Sequence, residues 1–305
     1  VSASSIPSPA ATLRGVWLTV ASSALAAAFL ISYKLASGYG DVADMVFLLL
    51  LFAAIFNTVS STVQARGLSW LRFDRLSTRL AAALASLTLI GNLCSAQAIA
   101  RISPSLTSVF QQTQVLFVAF LGLIFLTERV SSRFWLGAAI AATGIGLMRA
   151  PVPSEELQVD PWGAAFAIAS ALAFAGMVVL TRKYVRRIEP MSVNALRLWM
   201  AAGLWLALER RAPDWDRGLP FLGYCALCAL TGPFLSRAAL MYALKHLSAN
   251  RVTLMSLTTP VMTLLPTYWV FGTVPSRQEW LGGLLILVGV AWPLLERSRA
   301  SRLSG

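Results

Sequence analysis

One stretch of this chain is written twice. From Gln97 it reads QAIARISPSLTSVFQQTQVLFVAFLGLIFLTERVSSRFWLGAAIAATGIGL, and from Tyr242 it reads YALKHLSANRVTLMSLTTPVMTLLPTYWVFGTVPSRQEWLGGLLILVGVAW. The two align without a gap at a constant offset of 145, which sets Ser103 on Ser248, Trp135 on Trp280, Leu136 on Leu281, Gly137 on Gly282 and Gly144 on Gly289. Both copies are apolar over lengths that cross a bilayer, and duplicated sets of membrane helices are the usual plan of carriers.

The duplication extends upstream. Gly15, Ala21 and Ser22 fall on Gly163, Ala169 and Ser170 at an offset of 148. The repeat is therefore a five-helix unit. Because five is odd, the second copy enters the membrane upside down. The apolar blocks predict ten spans. They are Val16–Leu35, Ala43–Val63, Leu76–Ala100, Pro104–Leu126 and Phe134–Met148, then Trp162–Leu180, Ser192–Leu208, Phe221–Leu244, Ala249–Phe271 and Trp280–Leu295. The expected fold is an all-α membrane protein, ten transmembrane helices in two inverted repeats. The expected organisation is a disordered tail over 1–13, repeats over 14–150 and 162–296, a loop over 151–161, and a cytoplasmic tail over 297–305. Val16–Leu35 is read as an uncleaved first helix, since the repeat requires it.

Charge sets the orientation and excludes a class. Of 305 residues 57% are hydrophobic and 12% charged, too few charges to cover a soluble domain. The net charge of +12 does not mark a nucleic-acid binder, because the basic residues sit in short loops at alternate span ends. With the N-terminus in the cytoplasm, 16 of the 25 Lys and Arg residues lie at cytoplasmic ends and 7 outside, with Arg197 and Arg237 inside spans. That bias predicts both termini in the cytoplasm of a cell whose inner membrane holds the chain. Cys225 and Cys228 form a lone CxxC, read as small packing residues, and His246 is the single histidine. No metal, cofactor or catalytic constellation is expected, so the chain reads as a non-enzyme.

Polar groups inside apolar spans are costly and mark cavities or partner helices. Thr107, Gln111 and Gln114 recur at helical spacing on one face of the fourth span. Their counterparts at offset 145 in the ninth are Ser256 and Thr259, just before Pro260. Asn92 and Arg237 also match at that offset. A guanidinium can grip a carboxylate with two hydrogen bonds. The predicted substrate-binding set is therefore Asn92, Gln111, Gln114, Arg237, Ser256 and Thr259, lining one cavity. The alternative for the amides is interhelical bonding that only holds the bundle, and for Arg237 snorkelling toward the near surface. Arg197, two turns into its span, is read as snorkelling. Ser103, with Pro104 behind it, is expected to cap the fourth helix, and Ser248 stands at the same place before the ninth. Gly232-Pro233, Pro260 and Pro266 are expected to bend their helices. Glycines 137, 144 and 146, and 282, 283 and 289, make small-residue faces. These are expected to pack the halves together, with a monomer or a weak homodimer through the fifth and tenth helices as the assembly.

The paired blocks quoted above, with their order of small-residue turn, polar helix start, Thr-Pro, short loop and Gly-rich helix, resemble the EamA family of the drug/metabolite transporter superfamily. The resemblance spans essentially the whole chain. It implies a ten-helix, basket-like carrier of small metabolites, often amino acids, and a bacterial amino-acid exporter is the nearest functional type. Two positions depart from the family pattern: the glutamate that ends the fourth and ninth helices is present as Glu128 but replaced by Thr273, and Pro260 has Val115 as its counterpart. The expected activity is alternating access with a small-molecule substrate, most simply an amino acid moving outward. Carriage of a nucleotide-derived metabolite, vitamin or drug-like compound is the first rival, and a structural membrane protein the second.

Overall fold

A computed structural model describes residues 9–71, 73–102, 107, 110–128, 130–148, 160–210, 214, 217–272, 274 and 276–303. Ten helices account for nearly all of them. They are α1 (Pro9–Ala36), α2 (Val42–Gln64), α3 (Arg75–Arg101), α4 (Gln114–Leu126, with helical residues 107, 110 and 111 before it) and α5 (Ser132–Met148). The second half supplies α6 (Pro161–Tyr184), α7 (Pro190–Glu209), α8 (Leu219–His246), α9 (Ala249–Ser256 then Thr259–Phe271) and α10 (Arg277–Leu303). Six of these, α1, α2, α3, α6, α7 and α8, are long and apolar enough to cross a membrane unaided. Two helices run further than hydropathy predicts. α1 starts at Pro9, inside the segment expected to be a tail, and α10 continues through Arg297 to Leu303.

Helix ends follow local chemistry. The Asp74 carboxylate accepts the Ser77 amide at 2.9 Å and starts α3. The Asp160 carboxylate accepts from Trp162 at 3.1 Å and starts α6, with Pro161 in the first turn where no N–H is needed. α4 and α9 end alike: Thr127 (φ 53°) and Gly272 (φ 66°), 145 residues apart, both take the left-handed conformation. The expected Ser103–Pro104 cap lies outside the described residues. Ser248 has cap geometry, but its hydroxyl makes no cap bond.

The kinks differ from the proline-based expectation. α9 breaks at Leu257–Thr258, before Pro260, and α4 breaks at the equivalent turn, Gln112–Thr113, where Val115 replaces the proline. Proline is therefore not the common cause. Both turns share a threonine whose hydroxyl donates three residues back: Thr113 to the Phe110 carbonyl at 2.6 Å, and Thr258 to the Met255 carbonyl at 2.8 Å. That bond offers the backbone an alternative to helix continuation. Gly232-Pro233 falls in a π-helical stretch, Leu230–Ser236, of α8. Pro266 sits within Thr259–Phe271 without interrupting it.

Packing pairs each half with the other. α3 packs on α6 as α8 packs on α1; α4 packs on α6 as α9 packs on α1; α2 packs on α7, and α5 on α10. Adding five to each helix number returns the same set, the signature of a two-fold relation between repeats. The α5–α10 seam is the closest. A Cβ on Gly144 would lie 2.5 Å from the Gly282 carbonyl oxygen, and one on Gly289 2.5 Å from that of Gly137. Gly137, Gly144, Gly282 and Gly289 are thus used within the chain, whereas Gly146 faces outward. The outer faces of α4, α5 and α10 present Leu116, Phe120, Trp135, Leu284 and Trp292 outward.

Candidate substrate site

The polar interior lies between the halves. Its spine is one face of α6, with Ser170, Met177 and Thr181 at helical spacing. At one level Gln111 of α4 donates to Ser95 of α3 at 2.9 Å and to Ser170 at 3.3 Å. Two turns along, the Thr88 hydroxyl of α3 lies 3.6 Å from the Met177 sulfur. One turn further, Thr181 accepts from Arg237 of α8 at 3.5 Å. Elsewhere Ser22 of α1 and Ser236 of α8 exchange hydroxyl contacts at 2.9–3.2 Å. Asn194 of α7 donates to Asn57 of α2 at 2.8 Å and to the Pro233 carbonyl at 3.1 Å. The Gln111–Ser95, Arg237–Thr181 and Asn194–Pro233 bonds each stay within one half; the other contacts of this set join the two.

Two arginines stand at the centre of this interior. Arg197 is only 3% exposed, and its guanidinium donates to Thr88 at 2.9 Å. Thr88 in turn donates to the Leu84 carbonyl at 2.7 Å, which fixes its oxygen as an acceptor for Arg197. Arg237 is partly exposed, but its Nε is sealed from solvent. The Nε groups of both arginines lack any partner, and among the described residues neither arginine meets a carboxylate. The expected snorkelling of Arg197 is therefore wrong. Depth along a helix was its only warrant, and the hydroxyl of Thr88 on a neighbouring helix holds the side chain inward.

A cavity of about 550 Å³ opens at one end of the bundle, bounded by the ends of α2, α3, α7 and α8. Val193 and Tyr242 line it, one turn from Arg197 and just over one turn from Arg237. Leu84, Val193 and Met241 belong to one apolar cluster and sit one turn from Thr88, Arg197 and Arg237 respectively, a hydrophobic layer between cavity and arginines. The rim carries Glu189, which accepts from the Tyr242 hydroxyl at 3.1 Å, and Asp74. Bonds from Ser77 hold the Asp74 carboxyl below its ordinary value.

Beside this cavity the halves are clasped. Glu128, after α4, lies 3.4 Å from the Arg182 Nε of α6 and accepts the Ala249 amide at 3.3 Å. Arg182 also donates to the Leu244 carbonyl. Glu128 thus caps α9 in place of Ser248. At offset 148 Arg182 corresponds to Lys34, whose ammonium lies 4.6 Å from the Phe271 ring centre at the other end of the bundle.

The six sequence-predicted residues do not gather at one point. Gln111 and Arg237 attach to α6 eleven residues apart, about 16 Å along the helix. Asn92 lies between these levels on α3 and donates to the Thr88 carbonyl at 2.7 Å. Gln114 is half-buried, with no side-chain partner found among the described residues. Ser256 and Thr259 spend their hydroxyls on the Val252 and Ser256 carbonyls at 2.9 and 2.8 Å. Sequence reasoning passed over Asn57, Asn194, Ser22, Ser236 and Thr88. The signal was present, since each is a polar residue inside an apolar span.

The two-fold helix pairing and the polar seam between halves agree with the comparisons. The model of the EamA-like transporter family matches residues 13–150 and again 161–294. The chain belongs to the EamA-like transporter family. Its members are transporters, not enzymes, and this EamA protein is accordingly a multi-pass membrane protein that meets lipid and a transported small molecule. A solved crystal structure is similar to it with a TM-score of 0.78 at 19% identity, over 95% of this chain and 98% of the other, which shows the fold. A search of curated proteins finds no match.

Proposed function

We propose that this EamA transporter is an inner-membrane, alternating-access carrier of small polar metabolites bearing a carboxylate, amino acids moving outward being the simplest class. The repeats over 14–150 and 162–296 are its rocking units, and both termini face the cytoplasm. The observation that carries the reading is Arg237. It is a cation inside the bundle, about two and a half turns from the end of α8, with an unpartnered Nε and no carboxylate partner among the described residues. An intramembrane cation without a counter-charge is expensive, and a carboxylate ligand removes the cost. Placement supports the same reading, because carriers built from inverted repeats hold substrate at the repeat interface. In the proposed topology the 550 Å³ cavity opens to the cytoplasm, the loading side for export.

The Gln111 level, with Ser95 and Ser170, contributes the polar wall for the rest of the substrate. Asn92, Gln114, Ser256 and Thr259 belong to the same proposed lining. The test is counterflow in proteoliposomes with a panel of labelled amino acids and organic acids. Carboxylate substrates are expected to exchange. Arg237→Lys keeps the charge and loses the planar fork, so exchange should fall about tenfold or more at unchanged expression. Full exchange by a well-expressed Arg237→Ala would remove Arg237 from the site and the reading with it.

A further inference from the structure

Arg237 is not alone. Arg197 bonds Thr88, Thr88 touches Met177, and Met177 lies one turn from Thr181, which bonds Arg237. The two guanidiniums are thus anchored to the α3–α6 contact at points about one helical turn apart along α6. A guanidinium offers about five N–H donors. Each of these uses one, on a threonine hydroxyl, and each leaves its Nε bare. The nearby carboxylates are committed elsewhere: Glu128 to Arg182 and the Ala249 amide, Glu189 to Tyr242, and Asp74 to the start of α3. Two like charges in a low-dielectric interior repel, and a ligand with a single negative charge leaves one of them uncompensated.

We propose that Arg197 and Arg237 form a twin-arginine subsite for a doubly charged small anion, either a dicarboxylate or a phosphate monoester. This rests on the carrier reading above and names its substrate class by charge. The subsite lies behind the layer of Leu84, Val193 and Met241, and the cavity beyond that layer is large enough to admit a small metabolite. Thr88 is a positioning residue: its proton goes to the Leu84 carbonyl, so its oxygen faces Arg197 as an acceptor and leaves the other guanidinium donors for the ligand.

The test uses the full chain purified and reconstituted, with probes that differ in charge but not in shape. Inhibition of counterflow, or ligand-induced thermal stabilisation, is measured for succinate against succinamate, and for glycerol 3-phosphate against glycerol. Wild-type protein is expected to prefer each dianion by about tenfold or more. The pair showing the larger preference tells dicarboxylate from phosphoryl recognition. Arg197→Gln should lower the affinity for each dianion more than that for its lower-charge analogue and so erase the preference, and Arg197→Lys should retain part of it. Equal affinity for succinate and succinamate, with glycerol 3-phosphate no better than glycerol, overturns the dianion proposal on wild-type protein alone, whatever the variants do. Exchange of a neutral amino acid in that same experiment would leave the carrier reading standing, whereas no exchange of any carboxylate or phosphate compound would sink both.

Discussion

Gly144 and Gly146 lie two residues apart on α5 and face opposite surroundings. A Cβ at Gly144 would come 2.5 Å from the Gly282 carbonyl oxygen and 2.9 Å from the Ile286 amide, while one at Gly146 would meet nothing within 4 Å. The obstacles at Gly144 are backbone atoms, so no rotamer change relieves them. Ordinary contact begins near 3.5 Å, so α5 and α10 must part by about 1 Å. The seam is doubly exposed to that shift, because Gly289 approaches the Gly137 carbonyl as closely on the same pair of helices. Overpacking of this kind costs about 1–3 kcal/mol. The glycine-to-alanine gain in helix propensity applies equally at both sites and cancels when the variants are compared. Gly144→Ala is therefore expected to be less stable than Gly146→Ala by about 1–3 kcal/mol, measured by reversible unfolding in mixed micelles. Equal stability of the two would refute the claim that α5 and α10 meet backbone to backbone within one chain.

Three further outcomes are expected. Asn57 and Asn194 should couple in a double-mutant cycle by about 0.6 kcal/mol, the usual size of an interhelical bond in a membrane, and no measurable coupling would remove their contact. Glu128→Gln should weaken the clasp to Arg182 and lengthen spin-label distances across that end of the bundle, and an unchanged distance distribution would show that the ion pair does not hold the halves. Cysteines at Ser5 and Ser301 should both resist an impermeant thiol reagent in intact cells; labelling of either from outside refutes the proposed orientation.

The sequence carried the architecture because duplication and hydropathy are long-range averages. Ten spans and five-helix repeats survive errors of several residues, such as the misplaced start of α1 at Val16. Local irregularities were less legible. Pro260 drew attention to the break in α9, but the matching break in α4 has no proline, and its cause is a threonine hydroxyl bond that composition does not advertise. Side-chain destinations were least legible. Arg197 was assigned to the surface by its depth, yet its neighbour Thr88 is more than a hundred residues away in sequence. Likewise Glu128 stood out as a residue without a counterpart in the second repeat, while its role as the cap of α9 depends on Ala249, which only the tertiary pairing of α4 with α9 supplies.

The asymmetry at the helix ends gives a duplicated carrier a way to prefer one state. If the repeats were identical, the two ends of the bundle would close with equal strength and the resting protein would favour neither. Here Arg182 meets a carboxylate, a carbonyl and, through Glu128, the start of α9, whereas Lys34 meets the face of Phe271. A cation over a ring contributes about 0.5–2 kcal/mol depending on burial. Removing one member of a buried ion pair typically costs about 3–5 kcal/mol, an upper bound here because both partners keep some exposure. The two ends are therefore held by contacts of different kind. In the proposed orientation the Lys34 end faces outward. In the proposed twin-arginine subsite a dianion would bridge Arg197 of α7 and Arg237 of α8 over the α3–α6 contact, and the proposal thereby links occupancy to the helices through which the halves meet.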